Sequence, residues 1–180
     1  MKDKGFTLLE LLVMTMILSI LVVAGGSSLA ALFGTRADSC ANQIDSLLSK
    51  CKVNAMSRAH NVYLEIYVNG DGVYAAYCES DFDAGGNPVN VTREENLVGK
   101  SISAISYTVD GTDTELNAEN HKTLYLSFAR DTGAMTTIKT AASYAGAGTE
   151  EGYCSSIAIP KMGGSTNITL VAMTGKHEVG

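Results

Sequence analysis

The sequence predicts an α+β protein in which one long N-terminal α-helix, membrane-spanning in its first half, packs its second half on an antiparallel β-sheet domain. Three observations predict this. An uncharged run extends from Leu11 to Phe33. After it, apolar residues recur every three or four positions until about Ala59. From Val62 the apolar period falls to two, and clusters of turn-forming residues appear between the runs.

The uncharged run holds 23 residues. At about 1.5 Å per helical residue it reaches roughly 35 Å, enough to cross a hydrocarbon core of about 30 Å. Lys2 and Lys4 outweigh Asp3 before it, which keeps the N-terminus in the cytoplasm and places everything after Phe33 outside. Glu10 is the anomaly, an acid at the start of a segment that otherwise avoids charge. A carboxylate in hydrocarbon costs about 2.5 kcal/mol or more, so Glu10 marks a function and requires a partner.

Gly25-Gly26-Ser27-Ser28 is a weak patch, since each glycine costs about 1 kcal/mol relative to alanine in a helix interior. Beyond it, Ala37, Cys40, Ala41, Ile44, Leu47, Leu48, Cys51 and Ala55 form one apolar stripe. Asp38, Asn42, Asp45, Ser49, Lys52 and Arg58 fill the other face, and His60-Asn61 ends the helix.

The strands follow. Residues 62–68 and 73–79 flank Asn69-Gly70-Asp71-Gly72, a hairpin signal whose residues tolerate positive φ. Ser80 to Glu95 reads as a polar loop, and 102–109 as a third strand ended by an acidic loop from Asp110 to Glu115. Residues 123–128 and 134–138 read as a hairpin around Arg130-Asp131-Thr132-Gly133. Ser143 to Tyr153 is glycine- and alanine-rich and reads as a loop, and 156–159 and 167–173 are the last strands. Asp81, Asp83 and Asn87 would suggest calcium, but no bidentate glutamate follows at the required spacing.

Charge and cysteine content narrow the function. From Thr35 onward 11 basic residues face 17 acidic ones, a net of −6. Such a surface repels phosphate backbones and disfavours nucleic acid as a partner, while leaving room for one local basic spot. Cys40, Cys51, Cys78 and Cys154 contain no Cys-x-x-Cys pair, and His60, His121 and His177 are scattered, so zinc has little support. An exported domain permits disulfides. Cys40 and Cys51 share a helix face but lie about 16 Å apart along the axis, so any bridge must join a helical cysteine to Cys78 or Cys154. Four buried free thiols are the alternative. No phosphate loop, no Gly-x-Ser-x-Gly and no nucleophile with a base is present, so neither an enzyme nor a cofactor is implied.

Gly5-Phe6-Thr7-Leu8-Leu9-Glu10-Leu11-Leu12 resembles the class III leader of type IV pilins and of the pseudopilins of type II secretion systems. An ordinary secretory signal, with Ser28-Leu29-Ala30 as its cleavage site, would have a shorter apolar run. A plain single-pass anchor would explain neither Gly5-Phe6 nor Glu10. The resemblance implies a pilin-like fold, with cleavage by a prepilin peptidase between Gly5 and Phe6 and N-methylation of Phe6. It implies that Glu10 meets the N-terminal amine of a neighbouring subunit during assembly. Other pilin subunits and an assembly platform protein are the implied partners, in the cytoplasmic membrane and then in a filament. The implied division is 1–5 leader, 6–33 transmembrane and filament-core helix, and 34–180 exported domain, with an amphipathic helix over 34–60 and a sheet over 62–180.

The helix exit from Asn42 to Val62 is similar to that of H-type minor pseudopilins and T-type minor pilins. Residues 128–133 and 168–176 are similar to their two late strand–glycine–basic hairpins. The usual mid-helix proline is absent near Ser27, and Lys176 replaces the usual final arginine. A structural subunit is the function implied. A DNA-binding or adhesive pilin of a competence system is the alternative, against which the acidic balance argues.

Overall fold

The structure, a computed structural model, describes residues 8–58, 60–147 and 151–180, and over 22–33 the backbone alone. A single helix, α1 (Leu8–Ser57), runs for 50 residues. No proline precedes Pro88, and the apolar stripe expected over its second half is the one it buries: Ala37, Cys40, Ala41, Ile44, Leu48, Cys51 and Ala55 are each at most 4 % exposed.

The strands form two antiparallel sheets. β1 (Asn61–Asn69), β2 (Gly72–Phe82), β3 (Pro88–Lys100) and β6 (Thr123–Ser127) make one, in the order β3-β2-β1-β6. β4 (Ala104–Val109), β5 (Thr112–Asn117), β7 (Cys154–Lys161), β8 (Gly164–Val171) and β9 (Lys176–Val179) make the other, in the order β5-β4-β7-β8-β9. The helix lies across both. One apolar core joins its stripe to Leu64, Ile66, Val73, Ala75 and Leu126 of the first sheet and to Ile105, Leu116, Ile157, Ile159 and Ile168 of the second. Alternation sends Tyr63, Ala76 and Cys78 to the opposite face of the first sheet, where Tyr144 of a short helix, α2 (Ile138–Tyr144), packs on them.

Four expectations change. The polar loop of residues 80–95 is mostly strand: β2 continues to Phe82 and β3 begins at Pro88. β3 pairs only with β2, and residues 90–97 are all exposed, so hydrogen bonding rather than burial makes it a strand and no apolar alternation marks it. The acidic loop of 110–115 is a tight hairpin turn leading into β5. Asp110 (φ 48°) and Gly111 (φ 81°) occupy its two central positions, both left-handed as a type I′ turn requires. Around Gly70-Asp71, by contrast, only Gly72 takes positive φ.

The expected strand at 134–138 shrinks to one bridge, Phe128 to Met135, before α2 begins. The Thr137 hydroxyl caps that helix by accepting from the Thr140 amide, and Ile138, Ala141 and Ala142 are buried beneath it. A seven-residue helix buries too few large side chains to show a 3.6-residue period. Finally, a last strand, β9, follows Gly175.

Candidate functional site

Two stretches of α1 behave differently. From Leu8 to Leu21 every large apolar side chain is exposed, from 46 % at Val13 to 85 % at Leu8. Glu10 is exposed among them in the first turn, where the helix dipole favours a negative charge. The Thr15 and Ser19 hydroxyls donate to the Leu12 and Met16 carbonyls at 2.9 and 2.8 Å, so their polar groups are satisfied within the helix. This segment can enter an apolar medium with no polar cost besides Glu10. Among the described residues no helix is long and apolar enough to cross a membrane. The apolar side chains described, Leu8 to Leu21, cover 14 residues or about 21 Å, less than a bilayer core. Gly5 and Phe6 lie outside the described residues.

From Ala37 on, the helix is tied to the domain along both flanks of its buried stripe. On the first sheet, the Gln43 amide donates to the Val98 carbonyl (3.2 Å), and Lys50 meets Glu94 (2.6 Å). Asn54 donates to the Tyr77 hydroxyl (2.8 Å), which donates to Glu79 (2.5 Å), and Arg58 closes the chain on Glu79 (2.7 Å). On the second sheet, the Thr166 hydroxyl donates to Asp38 (2.5 Å), Ser49 pairs with the partly buried His177 (2.9 Å), and Lys52 donates to the Thr174 carbonyl (2.8 Å). The Thr166 hydrogen bond holds the Asp38 carboxyl below the usual range. Exposed ion pairs contribute little each. The apolar stripe holds the helix down, and the polar ties fix its rotation and register.

A family model described as the prokaryotic N-terminal methylation motif matches residues 1–26. The chain carries the class III leader of the type IV pilin and pseudopilin family. No curated protein and no solved structure matches it.

For a pilin-family subunit the leader implies a membrane-anchored N-terminus, prepilin processing and association with other pilin subunits. The exposed apolar stretch from Leu8 to Leu21 is the part of α1 available for both. The chain's cysteines are free and buried. Cys40 lies against Gly99 of β3, Cys78 faces α2 on the far side of the first sheet, and Cys154 sits in β7. Burial pushes the Cys40, Cys78 and Cys154 thiols up to about 12, and Cys51 in the same direction.

Of the residues weighed for calcium, Asp83 and Asn87 bond to each other and Asp81 turns to His60. Asp83 accepts from the Gly85 and Asn87 amides (both 2.8 Å), which lowers its pKa, while Asp81 pairs with His60 (2.5 Å). No group of three or more metal-ligating side chains occurs among the described residues. The polar ties were not legible in the sequence. Their helix members flank the apolar stripe visibly, but each partner is 21 to 128 positions away.

Proposed function

We propose that the chain is a minor pilin or pseudopilin, a structural subunit of a type II secretion or type IV pilus-like filament. The observation that carries this reading is one helix, unbroken from Leu8 to Ser57, whose first part exposes apolar side chains around Glu10, with Thr15 and Ser19 bonded within the helix, and whose second part is locked into a domain. Such a helix transmits the position of the buried or assembled half directly to the domain. Residues 1–5 are then removed, Phe6 becomes the methylated N-terminus, 6–33 spans the membrane before assembly, and 34–180 stands outside. The helix exit and the glycine turns at Gly133 and Gly175 support a minor member of the H or T type. The acidic balance favours protein partners over DNA.

In the filament, Glu10 of one subunit receives the Phe6 amine of the next, and each group removes the desolvation cost of the other. Glu10→Gln keeps size and hydrogen bonding while deleting the charge. Cleavage and insertion should proceed normally. Co-assembly should fail, because an incoming amine buried without its partner costs about 3 kcal/mol or more. The readout is crosslinking to other pilin subunits in membranes, and wild-type crosslinking by the variant would overturn the assignment of Glu10.

A further inference from the structure

The domain is acidic overall, yet one basic spot lies where α1 leaves its apolar segment. An open cleft of about 370 Å³ separates α1 from the end of β3. Arg36 and Ser39 line one wall, three positions apart on the helix, and Lys100 and Ser101 line the other. Gln43 closes the far end with its amide bonded to the Val98 carbonyl at 3.2 Å. Among the described residues no carboxylate lines the cleft. Asp38, the nearest acid on the helix, is engaged on the other flank by Thr166 and Lys161. Asp71 reaches this region through its backbone carbonyl, which accepts from the Ser101 amide at 2.9 Å.

The cleft is preformed. A β-carbon at Gly99 would come within 2.8 Å of the Cys40 sulfur, so the last residues of β3 are pressed onto the helix one turn beyond Arg36. Ser101 holds a left-handed φ of 64° that turns the chain back across the opening. Two cations and two hydroxyls therefore line one cleft between a helix and a strand already packed together, a set of donors suited to a phosphate.

Position decides which phosphate. At about 1.5 Å per residue, Arg36 stands roughly 4.5 Å beyond Phe33 and Ser39 roughly 9 Å, at the depth of the headgroup layer outside a bilayer core. We propose that this cleft binds the phosphate of an anionic phospholipid headgroup on the outer side of the membrane. The site would fix the rotation and depth of the subunit before it enters a filament. This rests on the membrane-anchored reading above.

The test places the full-length chain in nanodiscs of phosphatidylcholine alone or mixed with phosphatidylglycerol, and counts retained lipid by native mass spectrometry. Phosphatidylglycerol should be retained in preference to phosphatidylcholine. Arg36→Gln or Lys100→Gln should each weaken that retention about fivefold, and the double variant about thirtyfold. Lys139→Gln with Lys176→Gln removes as much charge at residues that do not line the cleft and should change nothing. Equal losses from that control pair would reduce the effect to bulk charge and overturn the proposal. Inorganic phosphate added to phosphatidylcholine discs should not protect Arg36 or Lys100; protection as strong as that by phosphatidylglycerol would overturn the lipid assignment in favour of a free anion. If the chain fails to enter nanodiscs at all, the anchor reading falls. If it enters without preferring the anionic lipid, only the cleft proposal falls.

Discussion

The α-carbon of Gly175 lies against the carbonyl oxygen of Gly133, so closely that a β-carbon at 175 would overlap it and would also come within 3.0 Å of the Phe128 ring. Both glycines are left-handed, with φ of 59° and 66°. A β-carbon at Gly133 would in turn meet the Met56 sulfur at 2.8 Å. The turn after β6, the turn before β9 and the C-terminal end of α1 thus close on one another at two residues without side chains. Here the two sheets and the helix are stitched together, since Lys52 donates to the Thr174 carbonyl and the Met135 amide to the Ala172 carbonyl.

Gly175→Ala should therefore destabilise the domain by more than about 2 kcal/mol, through left-handed strain added to a backbone clash. Gly111→Ala is the control. Its φ of 81° is as demanding, but nothing lies within 4 Å of the added carbon, so only strain of about 1 kcal/mol applies. Urea unfolding of the two variants measures the difference.

The thiols should resist alkylation at pH 8 in the folded protein and react at once in urea. Burial raises Cys40, Cys78 and Cys154 from 9.0 to about 12. The sign follows for stability. The thiols are neutral in both states below pH 9, and above it the unfolded chain gains by releasing protons that the folded chain retains. Their contribution is present in full below pH 9 and is lost as pH rises toward 12. Alkaline titration of the urea midpoint should show that fall, and substituting Cys154 by alanine should make it shallower.

A chain beginning at Thr35 should fold as a soluble monomer, because the core begins at Ala37 and no buried residue precedes it among those described. Circular dichroism should report mixed helix and sheet. A spectrum without β-structure would count against the domain boundary.

Gly5→Val should leave the leader attached, since the peptidase must approach the backbone closely at the residue before the cut. Mass spectrometry of membrane fractions reads the N-terminus directly. A mature chain beginning at Ala31 would mean an ordinary secretory signal.

The sequence by itself determined the long helix, its buried stripe and the leader. Those signals are local: an uncharged run, residues three and four apart, and a short peptide read by an enzyme before any domain contacts matter. It also located β1, β2, β4, β6, β7 and β8, whose one or two buried faces leave alternating or continuous apolar runs. Tertiary structure decided the rest. β3 is a strand because β2 supplies its hydrogen bonds, α2 is a helix because a sheet face needed covering, and the strands divide into two sheets because one helix presents both flanks. The cleft beside Arg36 arises the same way. Lys100 is 64 positions distant in sequence, and only the packing of Gly99 on Cys40 brings its charge to the foot of the apolar helix.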